Sequence, residues 1–310
     1  MQAQIIVPGI LIEGCIYGIM ALCVFITFRI LEFPDLTVDG TFPLGAAIMA
    51  AFLVNGYNLW LALFIAFIGG ILAGMITAVM HNELKIPNLL AGILTMILLY
   101  SVNLRVLGTS NVSLLGVDTI LSKFVAFLKP IFGFSREISY MIFFLIAVFL
   151  IKILLDIFFK TDLGMTLGAL GNNQQMIVSQ GVNPKTLKII GVGISNGLVA
   201  VSGAFAAQYQ NFADINLGQG IIIAGLASVM IGEFLIRSNK IFWLTMNVIL
   251  GSIIFNAVMY GARILIFRIP VLKASDLKFI QVFLVVLCLL STKTRAFFKQ
   301  RIRKGMSWSN

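Results

Sequence analysis

Long apolar segments separated by short polar stretches dominate this chain. Each runs for about 20 residues, the length that an α-helix needs to cross the hydrocarbon core of a bilayer. We therefore predict about nine membrane-spanning helices, at 7–28, 40–56, 58–80, 88–107, 139–159, 187–208, 218–236, 241–261 and 276–292. The second is expected to be broken near its start, because Pro34, Gly40 and Pro43 crowd that position. The interrupted apolar stretch at 120–134 is expected to form a helix in the membrane interface.

The composition supports an all-α polytopic membrane protein with one membrane domain over residues 1–310. Of the 310 residues, 60% are hydrophobic and only 11% are charged, whereas about a quarter of a soluble domain is charged. The segments do not alternate apolar and polar residues as the strands of a β-barrel would. The three cysteines have no metal-binding spacing, and His81 is the only histidine. We therefore expect no metal site, no nucleic-acid partner and no enzyme active site.

The charge distribution predicts the orientation in the membrane. The basic tail at 293–310 favours a cytoplasmic C-terminus, because positive segments stay on that side. Nine spans then place the N-terminus outside and the polar stretch between the fifth and sixth spans inside. Four positive charges at 262–278 fall on the outer side, so a tenth, re-entrant segment there is the alternative. The first apolar segment lacks a basic start and a clear cleavage site, so we expect a span, not a signal peptide.

An internal repeat relates the two ends of the chain. Residues 14–35 and 193–214 match at a constant offset of 179, and the identical pairs are Gly14/Gly193, Gly18/Gly197, Ala21/Ala200, Phe33/Phe212 and Asp35/Asp214. The copies are five predicted spans apart, so they have opposite orientations. We predict a first repeat at about 7–107 and a second at about 187–292, an arrangement typical of transporters. The alternative is two similarly packed small-residue helices without a common origin.

A polar, almost uncharged stretch, "GALGNNQQMIVSQGVNPK" (Gly168–Lys185), interrupts the apolar pattern. Asn172 or Asn173 is a suitable N-cap, and a glycine at 181 is a suitable C-terminal residue, so we predict a short helix over Gln174–Ser179. Met176, Ile177 and Val178 are expected to give this helix an exposed apolar patch. A helix on the lipid surface would carry Lys or Arg on its polar face. Docking to a protein is therefore the favoured interpretation.

A resemblance to a known family begins in this region. The segment Thr161–Glu233, with the run "SNGLVAVSGAFAAQYQNFAD", and the N-terminal "GCIYGIMALCVFITFRILEFPDLTVDGTFPLGA" resemble permeases of bacterial ABC importers of the branched-chain amino acid/ribose type. The similarity is greatest to the subgroup paired with lipoprotein-like binding proteins for aromatic amino acids. The resemblance implies a type II ABC importer-like fold in the bacterial cytoplasmic membrane. Many relatives have Arg where this chain has Gly168, which would soften a contact to the ATPase or the membrane surface.

The same resemblance implies a coupling segment and its partners. The cytoplasmic segment at about 160–187 would contain the coupling helix, which sits in a groove of a separate ABC ATPase subunit. The implied coupling residues are Gly171, Asn172, Asn173, Gln174, Met176, Ile177, Gly181, Val182, Asn183 and Pro184. The chain has no GxxxxGK[ST] loop, so ATP and Mg²⁺ are expected in the ATPase and no cofactor in this chain. An extracellular or lipoprotein substrate-binding protein and a second permease chain, forming a homodimer, complete the expected assembly.

Few polar residues are candidates for the translocation pathway. Glu13 lies within the first span, where a carboxylate must face protein or water; it either meets a substrate amino group or bonds a neighbour. Asn196 and Asn256 either line the pathway or form hydrogen bonds between helices. Candidates for an outer mouth, where a binding protein would dock, are Gln208, Phe212 and Asp214.

Two further groups of charged residues have simpler predicted roles. Glu233 and Arg237 are predicted to pair one turn apart, with an inner gate as the alternative. Asp35 and Asp39 are predicted to cap the broken second helix. Together these features predict a permease subunit that moves a small, amino acid-like solute, with an aromatic one indicated by the subgroup. An ion-coupled secondary transporter is the competing hypothesis, because such carriers also use inverted repeats.

Overall fold

The computed structural model describes residues 2–236, 240–268 and 279–286. The tail at 293–310, Arg237 and most of 262–278 lie outside the described residues. The described part is almost entirely helical, with one short two-stranded sheet. Its elements in chain order are α1 (Gln2–Val24), a π-helical turn (Phe25–Ile30), α2 (Val38–Val54), α3 (Leu59–Leu84), α4 (Asn88–Leu107), β1 (Asn111–Ser113), α5 (Ile120–Phe132), α6 (Arg136–Phe158), α7 (Asp162–Asn172), α8 (Gln174–Ser179), α9 (Pro184–Gln210), β2 (Phe212–Asp214), a 3-10 turn (Ile215–Gly218), α10 (Ile221–Leu235) and α11 (Ile241–Arg268).

The helices match most of the predicted spans. Among the described residues, seven helical segments are long and apolar enough to cross a membrane. The second predicted span is the exception, because α2 has only 17 residues and starts after the irregular stretch at 31–37. The ninth, at 276–292, is described only at 279–286, where it is helical. The count of nine or ten therefore stays a prediction. The helix predicted near 120–134 is confirmed as α5, which starts on a capping box formed by Thr119 and Ser122.

Small residues set the distance between the central helices. A Cβ atom built on Gly203 of α9 would lie 1.9 Å from the carbonyl oxygen of Phe42 in α2, and one on Gly45 of α2 would lie 1.8 Å from that of Ala200 in α9. A Cβ atom on Gly70 of α3 would lie 2.4 Å from the Asn196 carbonyl oxygen. Lipid gives no hydrophobic drive for helix association, so such close backbone contacts supply the attraction.

The helices that contain the matched segments cross each other in a symmetric way. Ser195 of α9 donates a hydrogen bond to the Cys23 carbonyl of α1 at 2.8 Å, and Ser202 donates one to the Ile16 carbonyl at 2.7 Å. The offset of 179 converts positions 16 and 23 into 195 and 202. The same offset relates the outer contacts, since Gly14 and Gly18 pack on α11 while Gly193 and Gly197 pack on α3.

The segments that follow α1 and α9 also correspond. Asp35 accepts a hydrogen bond from the Thr37 backbone nitrogen at 2.9 Å, and Asp214, at the matched position, accepts one from the Asn216 backbone nitrogen at 2.7 Å. Each turn leads into a shortened helix, α2 or α10. Asp39 of α2 accepts hydrogen bonds from the Gly220 and Ile222 backbone nitrogens, both at 3.0 Å. A residue of α2 therefore caps the first turn of α10.

Candidate functional site

The polar stretch between α6 and α9 folds as two short helices, α7 and α8. Asn173 caps α8, because its side-chain oxygen accepts hydrogen bonds from the backbone nitrogens of Gln175 at 3.0 Å and Met176 at 3.2 Å. Gly181 has a φ of +78°, the left-handed conformation that ends a helix and favours glycine. Asn183 accepts from the Lys185 backbone nitrogen at 2.9 Å and caps α9. The predicted helix over Gln174–Ser179 is thus confirmed in its bounds.

The apolar patch on α8 is smaller than predicted. Met176 and Val178 are 50% and 55% exposed, as expected for a docking surface. Ile177 is only 1% exposed and belongs to the hydrophobic core of the chain itself. The prediction of an exposed Ile177 was therefore wrong. In a helix successive side chains point about 100° apart, so Ile177 faces inward while its two neighbours face out.

The α7–α8 segment is wedged against the end of the first membrane helix. A Cβ atom on Gly171 would lie 2.0 Å from the Ile30 carbonyl oxygen, at the last residue of the π-helical turn. The next residue, Leu31, packs between Gly191 of α9 and the α7 region, since a Cβ on Gly191 would meet both Leu31 and Leu167 within 3.1 Å. π-Helical turns occur frequently at functional sites. A displacement of α7 would therefore reach α1 and α9 directly.

An ion pair lies beside this contact. Arg29 of the π-helical turn is 2.7 Å from Glu233 of α10, and both side chains are exposed. We had predicted that Glu233 pairs with Arg237, which lies outside the described residues; the Glu233 carboxylate is held by Arg29. The pair joins the π-helical turn that follows α1 to the last turn of α10.

Asn196 is not a lining residue in this structure. It is fully buried, and its amide donates a hydrogen bond to the Asp35 carboxylate at 2.6 Å and accepts one from the Thr41 hydroxyl at 2.6 Å. The pathway prediction for Asn196 is replaced by the other role predicted for such amides, hydrogen bonding between helices. The reason is energetic: α9 meets α2 and the turn before it at this point, and buried polar groups must be paired.

The predicted outer-mouth residues separate into two groups. Gln208 is 1% exposed, and its side-chain oxygen accepts a hydrogen bond from the Ile120 backbone nitrogen at 2.9 Å. Gln208 therefore accepts a hydrogen bond from a free backbone N–H in the first turn of α5 and does not line an outer opening of the pathway. Phe212 and Asp214 lie in β2, which pairs antiparallel with β1 so that Asp214 faces Asn111. Phe212 is 36% exposed and stays available for contact with another molecule.

A polar cavity forms on the other side of α1. Its volume is about 160 Å³, and it lies between α1, the turn at 217–221, α11 and the helical segment 279–286. Its polar and aromatic walls come from Tyr17, Gln219, Asn256, Arg263 and Gln281. Glu13, one turn before Tyr17, lies 3.1 Å from Arg263. The structure thus brings two predicted pathway residues, Glu13 and Asn256, to one region.

A buried charge cluster was missed by the sequence reasoning. Lys152 and Asp156 of α6 form an ion pair, and Thr245 of α11 donates a hydrogen bond to the same carboxylate at 2.7 Å. The Lys152 ammonium lies 3.6 Å from the centre of the Phe242 ring, and Lys152 is 1% exposed. The signal was present in the run "IKILLD", where two charges stand four residues apart inside an apolar helix.

Metal-binding geometry does not appear in the part of the chain that the structure describes. No group of three or more His, Cys, Asp or Glu side chains could hold an ion among those residues. Four ion pairs are formed among the described residues: Arg29–Glu233, Lys152–Asp156, Lys185–Glu83 and Arg263–Glu13.

Comparisons with known proteins identify the family. The family model for the permease component of branched-chain amino acid transport systems matches residues 6–290. A tyrosine transport system permease protein of Clostridioides difficile (strain R20291) is 40% identical over 284 residues, which are 92% of this chain and 90% of that protein. An uncharacterized protein of Rickettsia prowazekii (strain Madrid E) is 38% identical over 220 residues, 71% of this chain and 74% of that protein.

One solved structure also aligns with most of the chain. It is described as a metal-chelate type ABC transporter in an inward-facing conformation, and the alignment covers 94% of this chain and 86% of that one. The sequence identity is 16% and the TM-score is 0.49. The family model, by contrast, covers almost the whole chain. The chain therefore belongs to the branched-chain amino acid/ribose-type family of ABC transporter permeases, the multi-pass membrane subunits of those transporters.

Proposed function

We propose that this chain is the permease of a bacterial importer that moves an amino acid-like solute, aromatic in its side chain, with energy from a separate ATPase. The observation that carries this proposal is the α7–α8 segment. It presents Met176 and Val178 to solvent while Gly171 holds it against α1. An exposed apolar pair on a rigid support is suited to docking in a groove of a partner. The relative named as a tyrosine transport permease supports the solute class.

The contacts around α7–α8 suggest how ATP hydrolysis would act on the membrane helices. Closure of the ATPase subunits would push on α8, and the close contact between Gly171 and Ile30 would pass the displacement to α1. No side chain lies between these two backbones to absorb it. The Arg29–Glu233 pair joins α1 to α10 and is exposed, so it would exchange with water at low cost when the two helices separate.

Two inverted repeats would provide the moving parts, one at about 7–107 and the other at about 187–292. The symmetric crossing of α1 and α9, with its serine hydrogen bonds, supports this division. Rocking of one repeat against the other around that crossing would open the pathway to each side in turn. The pathway prediction then rests on Asn256, which lines the polar cavity, and on Glu13, which pairs with the cavity residue Arg263.

The remaining parts of the assembly follow from the same proposal. The C-terminus and the α7–α8 segment face the cytoplasm, and the β1–β2 pair with Phe212 and Asp214 faces outward. An extracellular binding protein, free or anchored as a lipoprotein, delivers the solute at that outer face. A second copy of the chain completes the membrane part. ATP and Mg²⁺ are bound by the ATPase subunits, since this chain has no phosphate-binding loop.

Reconstitution tests the proposal. The tagged chain is expressed with the ATPase encoded beside it, purified in detergent and placed in liposomes with the binding protein. We expect one complex whose ATP hydrolysis rises with loaded binding protein and which takes up labelled L-tyrosine. Uptake by the chain alone, driven by a sodium or proton gradient and indifferent to ATP, would instead assign the chain to ion-coupled carriers.

A further inference from the structure

The polar cavity beside α1 has the composition of a solute-binding site and not of a passive channel. In a chain with only 11% charged residues, this region gathers an acid, a base and three side-chain amides, from Gln219, Asn256 and Gln281. Polar and ionisable groups are costly inside a membrane and mark solute pathways when they face a cavity. The inference below rests on the proposed function, because it concerns the solute that the permease moves.

Glu13 and Arg263, beside the cavity, are joined by a single contact among the described residues. Glu13 and Arg263 touch through one carboxylate oxygen and one guanidinium nitrogen, 3.1 Å apart. A carboxylate accepts about four hydrogen bonds and a guanidinium donates five. Their side chains are 23% and 37% exposed, so they are neither sealed in the core nor fully in water. A molecule that carries both an ammonium and a carboxylate could join this pair and complete a four-charge ring.

The rest of the wall is aromatic and apolar. Tyr17 lies one helical turn from Glu13, and its ring stacks on Phe42 with centroids 6.2 Å apart and an interplanar angle of 13°. Phe255 and Met259 of α11 line the same cavity. Aromatic rings and methionine sulfur both pack favourably against an aromatic ring. The apolar groups thus lie beside the charges, which matches the layout of an aromatic amino acid.

We propose that this cavity is a transient binding site that reads both charged ends of the solute: Arg263 binds its carboxylate, Glu13 its ammonium, and Tyr17 with Met259 its ring. The permease then contributes to selectivity alongside the binding protein. The ion pair also explains how the empty site avoids two unpaired charges, because Glu13 and Arg263 neutralise each other between solutes.

The test compares neutralised and exchanged pairs in liposomes that contain the ATPase and the binding protein. Glu13→Gln and Arg263→Gln should each lower ATP-driven L-tyrosine uptake at least tenfold, while assembly with the ATPase is retained. The double exchange Glu13→Arg with Arg263→Glu restores the ion pair but reverses it relative to the ring wall, so uptake should stay low. Lys129→Gln, an exposed charge on α5, is the matched control and should transport normally.

A second variant examines the ring wall. Tyr17→Leu should change the ratio of L-tyrosine to L-phenylalanine uptake, whereas Tyr17→Phe should preserve the uptake of L-phenylalanine. The binding protein is the same in every sample, so a changed ratio reports the permease. Recovery of uptake in the exchanged pair would overturn the proposal, because it would show a structural role for the pair. Normal uptake by both neutralised variants would overturn it too.

The design separates this inference from the proposed function. If the unmodified complex does not assemble, or its ATP hydrolysis ignores the loaded binding protein, the proposed function fails before any variant is compared. If the unmodified complex transports and the variants fail as described, both stand. If it transports and the neutralised variants are unaffected, only the binding site is wrong.

Discussion

A pair of aspartate substitutions on α8 separates docking from folding. Val178 is 55% exposed and Ile177 is 1% exposed, although they are neighbours in the chain. Val178→Asp should leave the isolated permease folded, because substitutions at exposed sites usually change the free energy of unfolding by within about 0.5 kcal/mol. Ile177→Asp should disrupt α8 itself. The same chemical change therefore has two different consequences that one assay set can resolve.

The expected magnitudes follow from burial. Removing the buried Ile177 side chain costs about 1.5–3 kcal/mol, and placing an unpaired carboxylate there adds several kcal/mol more. At Val178 the substitution should weaken binding of the ATPase and should not change the stability of the permease alone. Charging a hot-spot residue of an interface costs about 2 kcal/mol or more, which is roughly a 30-fold weaker Kd.

The assay measures three quantities on the same preparations. These are the thermal unfolding midpoint of the permease alone, its Kd for the ATPase in nanodiscs, and the ATP hydrolysis of the complex. Leu115→Asp is the control, because Leu115 is 77% exposed near α5, on the predicted outer side. An unchanged Kd for Val178→Asp would refute the docking surface. An unchanged unfolding midpoint for Ile177→Asp would refute the assignment of Ile177 to the core.

Three further predictions concern the packing of the membrane helices. Gly203→Ala should lower the unfolding midpoint strongly, because its Cβ would lie 1.9 Å from a carbonyl oxygen, while Gly168→Ala meets nothing within 4 Å and should be neutral or stabilising. Asp156→Ala should cost about 3–5 kcal/mol by leaving Lys152 buried and unpaired, and adding Lys152→Met should recover most of it in chemical denaturation. Asn196→Ala should lower the free energy of unfolding by about 1–3 kcal/mol and leave the KM for the solute unchanged. A raised KM would instead indicate that Asn196 lines the translocation pathway.

Local signals allowed α8 and its caps to be predicted in detail. Asn173, Gly181 and Asn183 each act on backbone groups within three residues, so the sequence around them contains all the partners that decide the outcome. The same holds for α5, which begins at a polar cap after a turn. Elements whose boundaries depend on nearby side chains can be read from the order of residues alone.

Burial could not be predicted in the same way. Ile177, Asn196 and Gln208 had been assigned to exposed or lining positions, and all three are buried. Their environment depends on segments that are distant in the chain: Gln208 bonds residue 120, and Asn196 bonds residue 35. Spacing within one helix shows which residues share a face, but it does not show which face another helix will cover.

The ion pairs also differ in whether the sequence could predict them, according to how far apart their residues are in the chain. The Lys152–Asp156 pair stands within one helix, and a search for charges four residues apart in apolar runs would have found it. Glu13 and Arg263 are 250 residues apart, and no rule of spacing connects them. The 179-residue offset is the one sequence signal that linked distant segments, because the two segments that it matches pack against each other as α1 and α9.

Positions 39 and 218 are related by that offset and touch each other, since a Cβ atom on Gly218 would lie 1.9 Å from the Asp39 carbonyl oxygen. In a pseudo-twofold arrangement, a position that touches its own counterpart lies on the axis. Identical residues there would bring two carboxylates together in a partly buried space, where like charges repel each other. Two segments related by this offset therefore cannot both carry aspartate at this point. Position 39 keeps the aspartate whose carboxylate accepts hydrogen bonds from the first turn of α10. Position 218 can hold only glycine, because a Cβ atom there would clash with the Asp39 carbonyl oxygen.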